Sequence, residues 1–208
     1  MVHKYKLIYF NLPGRAELPR WIFHYAGQDF EDKRIEHAQW PAVKPTTPDG
    51  TLPYLEVDGK PLSQSQAIAR YLARTFKVAG HNAWEEAEAD AVVDYLGDAS
   101  KDYIRYAGAL RAKDEQLAKS IKEKYIGETV IPYLDGLNRK LEHNSGSQYL
   151  VGKDPTWADF AVTIFLEKLC SMDAHIVDKY PRLKVHTEHV RNLPGIREWI
   201  AKRPANPV

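Results

Sequence analysis

Tyr9 lies near the end of a short apolar run, Tyr5-Lys6-Leu7-Ile8-Tyr9-Phe10, which breaks at Asn11-Leu12-Pro13-Gly14 and is followed by Arg15. Further along, Gln64-Ser65 opens a helical stretch after Gly50-Thr51-Leu52-Pro53-Tyr54. A phenol at a strand end can point its hydroxyl at whatever lies beyond. The first N–H groups of a helix are unpaired and sit at the positive end of its dipole. A guanidinium is a permanent cation. All three stabilise negative charge, so together they could bind an anion and hold a nucleophile in its ionised form. Arg15 itself opens a helix, where the dipole disfavours a cation. That placement suggests an anion between the two.

Each residue also has a plainer use. Alternation alone makes Tyr9 a core aromatic of its strand, with Tyr5 as a ready competitor. Arg15 could be a solvated helix charge, Ser65 a simple N-cap and Trp40 a packing anchor in a proline-rich loop. Asp98, read as lying on the inner face of a long helix, signals a cap, a salt bridge or a site. His186 and His189 are three apart and could chelate in principle. No third ligand accompanies them, so a solvated face is expected. Cys170 follows Leu169 on an apolar face and reads as a buried small hydrophobe.

The elements that must position these residues change character near residue 80. Lys4 to Phe10 reads as a strand, Arg15 to Ala26 as a helix with Leu18, Trp21, Ile22 and Tyr25 inward, and Phe30 to Ile35 as a second strand. His37 to Asp49 holds three prolines and is expected to be mostly loop. Tyr54 to Val57 and Pro61-Leu62 flank an Asp58-Gly59 hairpin turn, and Gln64 to Phe76 is helical again. Beyond Val78-Ala79-Gly80 no strand pattern remains. Trp84 to Gly108 reads as one long helix with Ala87, Ala91, Tyr95 and Leu96 inward, and Lys113 to Glu142 as a second, bent at Pro132. Thr156 and Asp159 have the spacing of a capping box ahead of an apolar run to Leu169. Pro181 to Asn192 and Pro194 to Lys202 complete the pattern. The fold class is therefore α/β plus all-α.

Composition narrows the class. Of 208 residues, 44% are apolar and 27% charged, the mix of a globular chain. A net charge of +1 provides no field to hold nucleic acid or an anionic membrane, so neither is expected as a partner. Met1 is followed by polar and charged residues and no long apolar run occurs, so neither a secretory signal nor a spanning helix is expected. A single cysteine excludes an internal disulfide or a Cys-x-x-Cys pair, which points to the reducing cytoplasm.

Several separated motifs then combine: Tyr9-Phe10-Asn11 with Gly14-Arg15-Ala16-Glu17, Trp40 with Lys44, Gly50 to Pro53, Gln64-Ser65, Asp98, and the Thr156-to-Asp159 cap. In this order the chain resembles the cytosolic glutathione S-transferases, and its start resembles their sigma class, which includes haematopoietic-type prostaglandin D synthase and many invertebrate enzymes. The resemblance implies a thioredoxin-like βαβ-ββα domain over 1–80 and an all-helical domain over 82–208. It implies a glutathione transferase of detoxification, with glutathione as co-substrate, no metal, and a homodimer. Related folds also serve as a prostaglandin H to D isomerase or as a non-catalytic carrier or lens-type protein.

The same resemblance assigns roles. Tyr9 would hydrogen-bond the glutathione thiolate and Arg15 would support it. Trp40 and Lys44 would hold the glycyl carboxylate, Leu52 before a cis Pro53 the cysteinyl part, and Thr51 would also bind glutathione. Gln64 and Ser65 would hold the γ-glutamyl end, with Asp98 reaching the amine of glutathione bound to the neighbouring subunit. Some relatives carry a second Asp just before Asp98, linked to a divalent-metal effect; Gly97 stands there, so no metal activation is expected. The electrophile would meet Pro13, Gly14, Tyr103, Ile104, Tyr106, Phe165 and Val208. Arg105 and Ala161 differ from the prostaglandin synthase pattern, which favours conjugation of bulky or planar electrophiles.

Overall fold

A computed structural model describes residues 3–204; Val208 therefore lies outside the described residues. The chain forms two compact units. One is the chain up to Val78 together with the stretch from Leu193 onward, and the other is Ala79–Asn192.

The first unit is a four-stranded sheet with helices. Its strands are β1 (Tyr5–Phe10), β2 (Glu31–Ile35), β3 (Tyr54–Val57) and β4 (Lys60–Ser63), in the order β2-β1-β3-β4. β1 and β2 run parallel, as the intervening helix α1 (Glu17–Tyr25) requires. The pairs β1/β3 and β3/β4 are antiparallel, the latter closed by Asp58-Gly59 with both residues at positive φ. α1 packs on α3 (Ser65–Thr75), and Trp21, Ile22 and Phe23 of α1, Ile68 and Leu72 of α3 and the strand residues Leu7 and Leu55 are all wholly buried. The loop after β2 is more ordered than its prolines suggest. It consists of a 3-10 turn at His37–Gln39, the short helix α2 (Trp40–Val43) and another turn at Lys44–Thr46, with a proline in the first turn of each of the last two.

The second unit is helical: α4 (Ala83–Ala99), α5 (Lys101–Arg111), α6 (Glu115–Lys124), α7 (Ile131–His143), α8 (Trp157–Met172) and α9 (Pro181–Arg191). The final helix α10 (Ile196–Lys202) belongs to the first unit, where it packs on α1. The helix expected over Trp84–Gly108 is in fact two. In an unbroken helix the Ala99 carbonyl would accept from Tyr103. The buried Tyr125 hydroxyl donates to it at 2.8 Å, and the ladder breaks at Ser100. The helix expected over 113–142 also divides, at a π turn over Tyr125–Thr129; Pro132 sits in the first turn of α7, where its missing N–H costs nothing. Ala87 and Ala91 are exposed, and α4 instead buries Ala89, Val92, Val93 and Leu96. Phe30 precedes β2 and stacks on Phe23 at 4.3 Å between centroids.

α8 is almost wholly buried and starts at a complete capping box. Asp159 accepts from the N–H and Oγ1 of Thr156 (2.8 and 3.0 Å), from the Leu150 N–H (2.8 Å) and from His186 Nε2 (2.9 Å). His186 is therefore not on a solvated face. It continues the apolar stripe Leu183–His186–Val190 and provides one of the donors that a buried carboxylate needs. His189 bonds the Tyr149 hydroxyl at 2.9 Å. Cys170 is half-buried rather than buried, and burial pushes its thiol pKa up.

Candidate active site

Strand register gathers the first-unit residues. Ile8 pairs with Tyr54, so the next step along β1 and back along β3 sets Tyr9 beside Pro53. Tyr54 pairs with Ser63, which brings Gln64-Ser65 to the same sheet edge. Phe10 pairs with Ile35, and the chain beyond Ile35 leads into the turns that carry Trp40 and Lys44. The ends of three strands and the start of α3 thus converge.

Tyr9 is buried, with its hydroxyl accepting from the Arg15 N–H at 3.2 Å. The accepted bond leaves the phenolic proton available to another acceptor. Gly14 makes this approach possible. Its φ is +45°, and a Cβ there would lie 2.6 Å from the Tyr9 hydroxyl oxygen. The Arg15 side chain is exposed, with no ion pair to any described residue. Pro13 and Gly14 are half-buried in the same turn.

Trp40 is half-buried and packs edge-on against Phe10 at 5.4 Å, while Phe10 stacks on His37 at 4.5 Å. Lys44 is exposed. Thr51 is exposed, Leu52 half-buried and Pro53 buried, and the Leu52–Pro53 bond is cis. Gln64 adopts φ 72° and ψ 112°, a conformation an L side chain rarely takes, which costs about 1–3 kcal/mol. Its side chain does not cap α3, and the first turn of α3 holds no acidic residue. The opening amides of α3 and the Ser65 hydroxyl are thereby left to a ligand. A phenol, an indole, an ammonium, a guanidinium and a helix start, with no carboxylate among them, make a set of donors suited to an anionic ligand.

The second-unit candidates are placed differently from expectation. Asp98 is not on a buried face: its side chain is 63% exposed and pairs with Lys101 at 2.7 Å. The inward stripe of α4 runs through Ala89, Val92, Val93, Leu96 and Ala99, and Asp98 falls beside it, towards solvent. Tyr103 and Tyr106 lie 6.3 Å apart by ring centroid, and burial pushes the Tyr103 phenol up to about 12. The Lys168 ammonium lies 5.6 Å from the centre of the Tyr103 ring. Ile104 is exposed and Phe165 buried on α8. Arg105 pairs with Asp102 on the surface, and Ala161 is buried. Among the described residues no group of three or more His, Cys, Asp and Glu side chains could hold a metal ion.

Sequence reasoning passed over Arg20 and Asp32, and quoted Glu17 within the motif without giving it a role. Arg20 is wholly buried and Glu17 nearly so. The signal was the i,i+3 spacing of Glu17 and Arg20 beside Trp21 on the inner stripe of α1.

Comparison with known proteins bears on the whole chain. The family models described as glutathione S-transferase, N-terminal domain, and glutathione S-transferase, C-terminal domain, match residues 5–74 and 101–203. Glutathione S-transferase 1 of Ascaris suum is 43% identical over 98% of this chain and 98% of its own. Hematopoietic prostaglandin D synthase of Gallus gallus is 44% identical over 96% of each. The structure is similar to that of a glutathione S-transferase of the hookworm Necator americanus described as monomeric, with a TM-score of 0.85, 35% identity, and coverage of 99% of this chain and 100% of that one.

Proposed function

The chain belongs to the glutathione S-transferase family, and we propose that Tyr9 activates the thiol of glutathione at the convergent strand ends of the first unit. The protein is a glutathione transferase with a thioredoxin-like domain and a helical domain. The observation that carries the site assignment is the Tyr9 hydroxyl, fixed by Arg15 N–H at 3.2 Å with its own proton uncommitted to any described residue.

The chemistry follows from charge. A free thiol has a pKa of about 8.5, so only about 5–10% is thiolate near pH 7.4. A phenol that hydrogen-bonds S⁻ but not SH stabilises the anion selectively. Lowering the pKa by about 2 units needs about 2.7 kcal/mol, within reach of one charge-assisted bond plus the Arg15 cation. The thiolate sulfur then bonds to an electrophilic carbon. In substitution the leaving group departs with its electron pair; in addition the carbon skeleton takes up a proton.

Trp40 and Lys44 are assigned to the glycyl carboxylate, Leu52 to the cysteinyl backbone, and Gln64 and Ser65 to the γ-glutamyl end. Acceptor specificity is assigned to Tyr103, Ile104, Tyr106 and Phe165. We further assign the protein to the sigma class, the cytoplasm and a homodimer in which Asp98 serves the partner's glutathione. The exposed Asp98–Lys101 pair is weak enough to be exchanged for that contact.

Retention on immobilised glutathione, with turnover of a chlorodinitro-aromatic acceptor, tests the thiol-activation reading. A protein that binds glutathione yet leaves the acceptor unreacted overturns it. A second reading, isomerisation of prostaglandin H to D, is favoured by the 44% identity to the chicken synthase. It shares every thiol-binding residue and is separated by assay with prostaglandin H.

A further inference from the structure

Arg20 is charged and wholly buried on α1. Its guanidinium divides its donors. Nε and Nη2 bind the Asp32 carboxylate of β2 at 3.1–3.2 Å. Nη1 donates to the backbone carbonyls of Leu12 at 2.9 Å and Pro13 at 3.2 Å, with Glu17 Oε2 at 3.4 Å. Those two carbonyls immediately precede Gly14 and Arg15, the turn that lies against the Tyr9 hydroxyl. Glu17 is bound in turn. Its Oε1 accepts from Trp21 Nε1 at 3.1 Å, Trp199 Nε1 at 2.9 Å and Arg203 at 3.1 Å. Arg34 also binds Asp32 at 2.8 Å, so no carboxylate of the network is left unpaired.

We propose that Arg20, oriented by Glu17 and Asp32, is a positioning residue for thiol activation. It fixes the Leu12–Pro13 backbone and so holds the Gly14–Arg15 turn against Tyr9, and α10 belongs to this device through Trp199. An ion pair that served only to stabilise α1 would not need two loop carbonyls. The planar guanidinium spans a carboxylate on one edge and carbonyls on the other, which the single ammonium of a lysine cannot do. The proposal rests on the reading of Tyr9 as the group that binds the thiolate.

The test titrates the ultraviolet absorbance of bound glutathione thiolate against pH in the parent, Arg20→Lys and Tyr9→Phe proteins. Arg20→Lys should raise the bound-thiol pKa by about 0.5–1 unit while the Kd for glutathione changes less than about threefold. Its kcat/KM should fall about three- to tenfold below the parent thiol pKa and recover at alkaline pH. Lost stability alone would lower the amount of active protein equally at every pH. If Arg20→Lys does not fold, Asp32→Asn decides on the same criteria. An unmoved thiol pKa in the deciding variant, with a shift in Tyr9→Phe, overturns the positioning role and leaves the reading of Tyr9 intact. No shift in Tyr9→Phe overturns both.

Discussion

The Arg15 N–H points at the Tyr9 hydroxyl oxygen across 3.2 Å, so the loop that carries the cation also sets the direction of the phenol. The phenol receives one hydrogen bond from the backbone and has one to give. Tyr9→Phe removes the bond given and keeps the ring. The bound-thiol pKa should rise by about 1–2 units, with turnover at neutral pH down about tenfold or more and glutathione affinity nearly intact. Because the pKa rises, the loss is greatest at low pH and shrinks as pH climbs. A pH–rate profile superimposable on the parent's would remove Tyr9 from the mechanism.

The shared-site reading concerns Asp98. Light scattering at micromolar concentration should report about twice the 23.8 kDa chain mass. Asp98→Ala should raise the KM for glutathione several-fold with little change in kcat. The monomeric description of the hookworm neighbour makes this worth measuring directly. A fully active species of one chain mass refutes the shared site.

What was legible in the sequence depended on how local the signal was. The ends of β1 and β3 and the start of α8 are marked by Pro, Gly and capping residues, so those elements fall within a residue or two of expectation. Tyr9 was not legible from alternation, since Tyr5 is buried on the same strand; only the flanking motif distinguished it. The break at Ser100 was invisible because Tyr125, which takes the Ala99 carbonyl, lies 26 residues further on. His186 was read as solvated and Arg20 was passed over for one reason. Each occupies an apolar stripe at helical spacing, and a polar residue there becomes informative once its buried partner, Asp159 or Glu17, is known.

Alkaline pH should act through Tyr103. Burial pushes its phenol up to about 12, from the ordinary value of 10.0. Between these values the unfolded chain loses the proton while the folded one keeps it. The stabilisation is whole below pH 10 and is lost as pH rises towards 12. The loss attributable to this phenol should reach about 2 kcal/mol, measured as a falling urea midpoint. Tyr103→Phe should lessen that fall, and tyrosinate absorbance should lose one of the two components that titrate near 12, leaving Tyr180 and the still more strongly raised Tyr125. A urea midpoint with the same alkaline slope in parent and variant would contradict the assignment.

The capping carboxylate of α8 carries more than a cap. Asp159 is fully buried and accepts four hydrogen bonds, three from the capping turn and Leu150 and one from His186 on α9. Loss of an exposed cap costs about 1 kcal/mol. Asp159→Ala also strands the Leu150 and Thr156 N–H groups and the His186 ring inside the core. Each stranded donor costs about 1–3 kcal/mol. The variant should therefore be destabilised by about 3 kcal/mol or more in urea, while any protein that remains folded keeps the parent KM for glutathione. His186→Gln, which retains a donor of similar reach, should cost less than half as much. If Asp159→Ala were as stable as the parent but failed to bind glutathione, Asp159 would belong to the site and its role in holding α8 to α9 would be wrong.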